Sequence, residues 1–483
     1  MRPCSDETSA VKRLVVAVLA LSSPVLLVGC AKPPAEGAVP QLRAPGSFPS
    51  AKALAAPSAE WPDDRWWTRY GDPQLNTLIE EGLSQSPDLA AAGARLKRAD
   101  AAARIAGSAR NPQLGLHASA TSEKQTYNWL YPQAMLPQGW NDYGRATLDF
   151  SWELDFWGRN RASLAAATSE LEARNAELAQ ARLLLASGIA ADYAELSRLF
   201  ANRDTAIKAL EIRRKTAELF AQRFANGLET KGSVRGADAR RAVAEGALLA
   251  VEERIALQRN RLAALLGAGP DRGLAITPPA LKRDRSFGLP GQVSVDLIGR
   301  RPDIVAARLQ AEAAASRIRQ ARAEFYPNVN LSAFFGLQSL GLNQLLEPGA
   351  KMGGVGPAVS LPIFSGGRLR GQLRGAEAAH AEAVARYDAT LARALQEIAD
   401  NAVSQKALGA RLARAQEAVD AASEAHRVAN NRYQGGLANY LEVLTAEDAL
   451  LSSLDAQTNL CSLSLSLDIA LQRALGGGYQ IAQ

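Results

Sequence analysis

The chain carries the stretch Arg223-Phe224-Ala225-Asn226-Gly227-Leu228 and repeats it as Arg432-Tyr433-Gln434-Gly435-Gly436-Leu437, 209 positions further on. The same offset relates Ile189 to Ile398, Leu262 to Leu471 and Gly267 to Gly476. One offset held over roughly 80 residues indicates an internal duplication, so we expect the two halves to share one fold.

A second pair of matching stretches precedes the first pair. Pro87-Asp88-Leu89 begins an Ala- and Arg-rich pattern that stops at Pro112, and Pro302-Asp303-Ile304 begins one that stops at Pro327. Proline is tolerated in a first helical turn and aspartate favours its positive end, so both patterns predict helices.

The distribution of proline predicts two much longer helices. None of the 23 prolines lies between Pro137 and Pro270, and none lies after Pro362. Residues 158–227 and 367–436 therefore predict helices roughly 100 Å long, which need other helices beside them in a coiled-coil-like array.

Residues 463–467 alternate like a strand, but their repeat mate has a helical pattern, so we predict helix for both.

Four short segments alternate apolar and polar side chains, at residues 114–121, 146–154, 328–333 and 355–361. Segments of about ten residues suit tilted transmembrane strands, although a half-buried soluble sheet gives the same alternation. Aromatic side chains near the segment ends resemble a membrane-interface girdle: Trp129, Tyr131, Trp140, Tyr143, Phe156, Trp157, Phe325, Tyr326 and Phe364. Four strands are too few to close a barrel, so we expect the chain to oligomerise.

The N-terminus has the pattern of a secretory signal. Lys12 and Arg13 precede an apolar run over residues 14–28, which is shorter than the roughly 20 residues that a membrane-spanning helix needs. The run ends in Leu27-Val28-Gly29-Cys30, which resembles a bacterial lipobox. An ordinary signal with a chance cysteine is the alternative. We predict that Cys30 carries a diacylglycerol and an N-acyl lipid, and that Ala31 directs the protein to the outer membrane.

Composition excludes several other classes of function. The 55 basic and 49 acidic residues give a net charge of +6 that is spread along the chain, so we expect no nucleic-acid partner. Three cysteines and three distant histidines make a disulfide framework or a His-built metal site improbable. The sequence contains no catalytic motif, so we predict a protein that is not an enzyme and has no cofactor beyond its lipid.

Together these features resemble the TolC-like outer-membrane efflux factors, in particular the RND-type (NodT-like) lipoproteins. The stretches that carry the resemblance are Leu27 to Cys30, Trp66-Trp67, Asp72-Pro73, Leu75, Leu78-Ile79, Pro87-Asp88-Leu89, Trp157-Gly158-Arg159, Arg300-Arg301-Pro302-Asp303, Phe325-Tyr326-Pro327, Leu361-Pro362-Ile363-Phe364, Gly366-Gly367-Arg368, Arg432-Tyr433 and Gly435-Gly436-Leu437. They are distributed over essentially the whole mature chain.

The resemblance implies a mainly α fold with β: a homotrimer whose four strands per chain form a 12-stranded outer-membrane barrel above a helical tunnel. The chain then divides into a signal peptide (1–29), a lipidated tether and equatorial segment (30–75), a first repeat (76–268), an equatorial connector (269–301), a second repeat (302–476) and a tail (477–483).

The resemblance also implies a function. The protein is expected to be the outer-membrane exit duct of a tripartite efflux system, docked on a periplasmic adaptor protein that joins an inner-membrane RND pump. Drugs or other small toxic molecules are the expected substrates. The alternatives are a duct for metal cations or for type I secretion and, from another class, a periplasmic coiled-coil structural lipoprotein.

Site residues follow from the same resemblance. The turns that carry Gly227-Leu228 and Gly436-Leu437 are expected to dock the adaptor. Leu441 is expected in an apolar constriction, with Glu442 and Thr445 where relatives often hold aspartates. Thr445 departs from that pattern, which puts a double acidic ring in doubt. Arg432 and Tyr433 are expected to latch the inner helix to its neighbour by hydrogen bonds.

Overall fold

The computed structural model describes residues 40–128, 131–282, 287–291 and 293–481. Its helices are α1 (Pro73–Gln85), α2 (Pro87–Ser108), α3 (Arg159–Ala225), α4 (Lys231–Leu265), α5 (Asp271–Leu274), α6 (Val293–Arg300), α7 (Pro302–Ala323), α8 (Arg368–Gln434) and α9 (Tyr440–Ala474). Its strands are β1 (Gln113–Glu123), β2 (Asn141–Leu154), β3 (Asn328–Leu340) and β4 (Lys351–Ser360). Short 3₁₀ turns occupy Pro45–Ser47, Trp66–Tyr70, Gln133–Met135, Leu342–Gln344 and Pro348–Ala350.

The duplication predicted from the sequence is confirmed by the helix bounds. Helices α3 and α8 have 67 residues each, α4 and α9 have 35 each, and α2 and α7 have 22 each. The segment at residues 463–467 lies inside α9, so the helical prediction for it is confirmed as well. The strands differ in length between the two halves. As a result, matching residues are 215 positions apart before the strands, as for Pro87 and Pro302, and 209 apart after them, as for Arg159 and Arg368.

By its contacts the chain divides into two compact units. One holds the four strands with residues 97–172 and 308–385, and the other holds residues 42–96, 173–307 and 386–483.

The four strands form one antiparallel sheet in the order β1-β2-β3-β4. Strands β1 and β2 come from the first half of the chain and β3 and β4 from the second, so the β2–β3 pairing joins the two repeats across the sheet. The register places Leu148 opposite both Leu116 and Phe335. Directly opposed residues share a face, so the alternation seen in the sequence becomes two chemically different sheet faces. A small core lies beside the sheet and contains Ile318, Ala321, Phe325, Leu369 and Leu373.

The second unit is centred on the Asp72-Pro73 motif. Asp72 caps α1 by accepting a hydrogen bond from the Gln74 amide at 2.9 Å, and Pro73 takes the first helical position. The other carboxylate oxygen of Asp72 accepts from the Tyr193 hydroxyl at 2.8 Å and from the Ala280 amide at 2.8 Å. One aspartate thus fixes α1, α3 and the connector around a core that includes Trp66, Tyr70, Leu78, Ile79, Ile189 and Leu262.

The Arg300-Arg301-Pro302-Asp303 motif joins three helices of the same unit. The Arg301 side chain is 8% exposed and donates to Asp303 at 2.6 Å, to Glu397 of α8 at 2.7 Å and to the Ala474 carbonyl of α9 at 3.1 Å. A planar guanidinium group offers five donors in a fixed geometry, so it satisfies all three acceptors at once.

We predict that Arg301→Ala destabilises the protein by about 3 kcal/mol, because the substitution leaves two carboxylates and a helix-terminal carbonyl without their donor. The measurement is the thermal or denaturant unfolding midpoint of the detergent-purified protein. Arg414→Ala is the matched control, since Arg414 pairs with Glu417 on an exposed helix face and its loss is expected to cost less than about 1 kcal/mol. Equal midpoints for the two variants would contradict the anchoring role of Arg301.

Candidate functional site

One face of the sheet is apolar and exposed. Its side chains are Leu114, Leu116, Ala118, Ala146, Leu148, Phe150, Trp152, Leu331, Ala333, Phe335, Leu337, Val355 and Val359. Leu116 is 75% exposed, Phe335 64% and Val355 79%. An exposed apolar surface of this extent on a single chain marks a site of interaction with lipid or protein.

The opposite face of the sheet is mostly polar, with Phe334 as an aromatic exception opposite Asp149. It carries His117, Arg145, Asp149, Asn330, Ser332 and Gln338. His117 Nδ1 lies 2.9 Å from Asp149 Oδ2, and the Thr147 hydroxyl donates to the same oxygen at 2.8 Å. A sheet with an apolar outer face and a polar inner face is typical of transmembrane β proteins, whose lumen is polar.

Most of the aromatic side chains predicted to form an interface girdle lie near the ends of the strands. Tyr131, Trp140, Phe156, Trp157 and Phe364 are exposed as an interface girdle requires. Tyr326 stacks on Trp157 with the ring centroids 4.5 Å apart.

The prediction for Phe325 is wrong. The Phe325 side chain is 3% exposed because it packs against Ile318 and Leu369 in the core beside the sheet. Trp129 lies outside the described residues.

The two repeated turns share one backbone geometry. In the first, the Gly227 amide donates to the Phe224 carbonyl at 3.0 Å and the Leu228 amide to the Arg223 carbonyl at 2.8 Å. In the second, Gly436 and Leu437 make the equivalent bonds at 3.1 and 2.8 Å. This is the Schellman helix stop, which requires a positive φ, and Gly227 and Gly436 adopt φ values of 72° and 73°.

Each turn then starts the next helix with a side-chain cap. The Thr230 hydroxyl accepts from the Ser233 amide, and 209 positions later the Asn439 side chain accepts from the Glu442 amide. The sequence of the first turn looks less regular than that of the second, yet its backbone is equivalent. Both turns present an exposed leucine, Leu228 at 63% and Leu437 at 75%.

Tyr433 joins the two turns. Its side chain is 2% exposed, and its hydroxyl donates to Glu229 Oε2 at 2.6 Å. The Arg223 guanidinium lies 4.5 Å from the centre of the Tyr433 ring and donates to the Tyr433 carbonyl at 3.2 Å. The second turn is therefore bound to the first by a charge-assisted hydrogen bond and a cation–π contact.

The carboxylate of Glu229 is held in its charged form. Burial acts to raise its pKa, but the hydrogen bonds from Tyr433, the Thr230 amide and Ser233, together with Arg223, outweigh burial and lower the pKa below its ordinary value. The hydrogen bond from Tyr433 is therefore strongest at neutral pH.

Leu441, Glu442 and Thr445 lie on one exposed face at the start of α9. The Arg432 side chain contacts Glu442: its Nη1 lies 3.2 Å from Glu442 Oε2. Its Nη2 donates to the Leu437 carbonyl at 3.2 Å. The Thr445 hydroxyl donates to the Leu441 carbonyl at 2.8 Å and so turns back onto its own helix. Arg432 thus partly neutralises the Glu442 carboxylate of the same chain. The Tyr433 side chain extends to the first turn, where it reaches Glu229.

A second interhelical cluster lies one turn further along α9. Glu447 is fully buried, with Arg213 of α3 at 2.8 Å and the Thr216 hydroxyl at 2.9 Å. The neighbouring Asp448 pairs with Arg213 and with Arg240 of α4, the latter at 2.8 Å. Burial acts to raise the pKa of Asp448, but the two guanidinium groups outweigh burial and lower it.

Sequence reasoning missed Glu229, Arg223 and the cluster around Glu447. Arg223 is the repeat mate of Arg432, so the duplication itself pointed to it. Glu229 follows the Gly227-Leu228 turn directly, but neither Glu229 nor Glu447 belongs to a motif that indicates its partner. Only the register of the packed helices selects them from the many charged residues nearby.

Cys30, the predicted lipidation site, lies outside the described residues.

Among the described residues, no helix combines the length and the apolar character needed to cross a bilayer. The same part of the chain holds no group of three His, Cys, Asp or Glu side chains placed to bind a metal ion.

We predict that Tyr433→Phe loosens the contact between the two turns. A hydrogen bond to a charged acceptor contributes about 1.5–3 kcal/mol, so amide hydrogen exchange around residues 229–234 and 433–442 should be at least about tenfold faster in the variant at pH 7. Tyr440→Phe is the matched control, because its ring also packs on Phe220 but its hydroxyl has no hydrogen bond within the described residues. Equal exchange in both variants would contradict the link.

The same link has a predicted pH dependence. A carboxyl group whose pKa is lowered on folding contributes its stability above its ordinary pKa of 4.5 and loses it as the pH falls through the lowered value. The difference in exchange between wild type and Tyr433→Phe, corrected for intrinsic rates, should therefore persist from pH 7 to about 5 and shrink below about 4. A difference that grew on acidification would contradict this assignment.

Comparison with known proteins identifies the family to which the chain belongs. The sequence profile of the outer membrane efflux protein family matches residues 78–268 and 293–477. The multidrug resistance outer membrane protein MdtP of Escherichia coli is 31% identical over 467 residues, which cover 95% of this chain and 96% of MdtP. The fusaric acid resistance protein FusA of Burkholderia cepacia is 37% identical over 378 residues, which cover 76% of this chain and 69% of FusA.

A solved structure of an outer membrane protein is similar to this chain. The crystal structure of the outer membrane protein VceC from Vibrio cholerae has a TM-score of 0.83 and 52% sequence identity, covering 87% of this chain and all of VceC. The resemblance to the TolC-like efflux factors is thereby confirmed. The chain belongs to the outer membrane efflux protein family and is an efflux channel of the outer membrane.

Proposed function

We propose that the protein is the exit duct of a tripartite RND-type efflux system. It receives small toxic organic molecules from an inner-membrane pump through a periplasmic adaptor and releases them outside the cell. It works by conduction and catalyses no reaction. One observation carries this proposal: a four-stranded sheet with a continuous exposed apolar face, a polar opposite face and two unpaired edges. The names of MdtP and FusA support drugs and related toxic compounds as substrates.

The edges of the sheet support assembly of several copies of the chain. Among the described residues, β1 pairs only with β2 and β4 only with β3, so each protomer presents two edges whose backbone groups need partners in the bilayer. Pairing β4 of one protomer with β1 of the next satisfies both edges. The resemblance to the TolC-like efflux factors implies three copies, and their twelve strands exceed the practical minimum of about eight for a closed barrel.

The lipid on Cys30 adds a second anchor beside the barrel. A diacylglycerol with an N-acyl chain supplies three acyl chains, whereas a single chain binds a membrane only marginally. Residues 30–75, the connector 269–301 and the tail after residue 476 would then form the equatorial belt around the helices.

The two turns are the proposed docking sites for the adaptor. Leu228 and Leu437 are large apolar side chains exposed at equivalent positions, so one type of adaptor contact fits both. The gate is proposed at the start of α9, where Leu441 forms the apolar constriction and Glu442 the acidic ring. Tyr433 and Arg432 hold the inner hairpin in place, and an adaptor that binds the open arrangement more tightly releases it.

The first experiment is conductance of the purified Cys30→Ala protein in a planar bilayer, after its oligomeric state is measured in detergent. We expect a trimer with discrete, cation-selective channels, because the barrel and not the lipid forms the pore. A non-conducting species that stays soluble without detergent would reject the duct and favour the coiled-coil scaffold.

We predict that Glu442→Gln reduces cation selectivity and weakens block by divalent cations, since three carboxylates around one axis attract cations. Arg432→Gln should do the opposite, because it removes the guanidinium 3.2 Å from that carboxylate. Reversal potentials in a salt gradient measure both effects.

Glu417→Gln is the control for charge removal. Glu417 also pairs with an arginine, Arg414, but lies in α8 far from the turn. If all three variants keep the selectivity of the wild type, the acidic ring at Glu442 is rejected while the duct itself stands.

A further inference from the structure

A pocket of about 330 Å³ opens on the apolar side of the sheet, where β2 ends and α3 begins. Its apolar wall is formed by Trp152, Leu154 and Phe156, and its polar wall by Arg110 and Arg161. Phe156 is 64% exposed and Trp152 37%. The indole Nε1 of Trp152 donates to the Arg110 carbonyl at 3.0 Å, which fixes the ring beside the guanidinium groups.

The acidic groups around this pocket are already satisfied. Glu153 pairs with Arg159 at 2.5 Å. Asp155 accepts from the amides of Asn160 and Arg161 at 3.1 and 2.8 Å and so caps α3, and its carboxylate also faces the Arg161 side chain at 3.4 Å. Within the described part of the chain, Arg110 has no carboxylate partner. The pocket therefore offers an exposed, uncompensated positive charge next to an apolar wall.

The duplication shows that the scaffold does not require these residues. The repeat mate of Arg110 is Phe325, which is buried, and the mate of Trp152 is Leu361. At Phe325 the second repeat makes the same turn after its helix without a guanidinium group, whereas at the other pair the repeats differ, because β2 continues through Trp152 while β4 ends at Ser360, before Leu361. Arg161, in contrast, has an exposed arginine mate, Arg370, which does not line the pocket.

We propose that this pocket binds the headgroup of an anionic phospholipid in the inner leaflet of the outer membrane, with the acyl chains lying along the apolar face of β1 and β2. The phosphodiester would accept hydrogen bonds from Arg110 and Arg161, and Trp152 and Phe156 would cover the glycerol and the upper acyl carbons. This rests on the proposed function, since it places the helix end of the sheet at the periplasmic side of the membrane.

Three features favour this occupant. Arginine matches phosphate geometry through its fork of donors, and an exposed Trp with one polar end is typical of a membrane interface. The volume suits a glycerophosphate headgroup, and the apolar wall continues into the lipid-facing surface of the sheet without a polar interruption.

The test is native mass spectrometry of the detergent-purified full chain, titrated with phosphatidylglycerol or with phosphatidylcholine of the same acyl chains. We expect wild type to retain up to three phosphatidylglycerol molecules per trimer and to prefer this lipid over phosphatidylcholine. Arg110→Gln should bind phosphatidylglycerol about tenfold more weakly, because it removes the charge and keeps the length of the side chain.

Arg370→Gln is the matched control, since it removes the repeat mate of Arg161 and should leave lipid retention unchanged. Equal retention by Arg110→Gln and wild type would overturn the proposal. A loss of trimer in Arg110→Gln without any lipid preference in wild type would also overturn it, because the pocket would then belong to the contact between subunits.

Conductance of the same preparations separates the two proposals. A conducting wild-type trimer that retains no phosphatidylglycerol rejects the lipid site and leaves the duct intact. A preparation that neither conducts nor requires detergent rejects the duct, and the lipid site with it.

Discussion

The fold depends on the need to pair every backbone hydrogen-bonding group of a strand that lies in lipid. Each unpaired N–H or C=O in hydrocarbon costs several kcal/mol. Strands β1 and β4 each leave one edge open in a single chain, so the sheet that carries the family's membrane function is incomplete by itself. The central β2–β3 pairing, which joins the two repeats, makes four consecutive strands available as one unit for assembly.

The long helices obey a simpler rule. They end where glycine permits a left-handed residue, and α4 and α9 begin where a short polar side chain caps the first turn. Both signals recur at an offset of 209, at Gly227 and Gly436 and then at Thr230 and Asn439. Because these are local signals, the sequence alone predicted the long helices and the turns between them to within a few residues. The four strands were located correctly but predicted too short, since β2 begins at Asn141 and not at residue 146, and β3 ends at Leu340 and not at residue 333.

Side-chain partners across elements could not be predicted in the same way. Nothing adjacent to Glu229 indicates that it would accept a hydrogen bond from Tyr433, because their pairing depends on how two hairpins pack. The position of Phe325 near the start of the alternating segment 328–333 predicts a place at the membrane interface, but tertiary packing places it in a core. The aromatic pattern locates the end of a strand and does not determine on which side of the backbone each ring lies.

The duplication supplies a further argument about where function lies. The glycine helix stops and the capped first turns after them are equivalent in the two repeats. Most of the proposed gate positions are not: Leu441, Glu442 and Thr445 have Gly232, Ser233 and Gly236 as mates, and Tyr433 has Phe224, although Arg432 has an identical mate in Arg223. The hydroxyl that reaches Glu229 therefore exists in one repeat only, as does the arginine at position 110. Two copies of one scaffold need identical residues only where the backbone demands them. The divergence at Tyr433 and Glu442, on a turn whose backbone is equivalent in both repeats, agrees with the proposal that the second hairpin carries the gate.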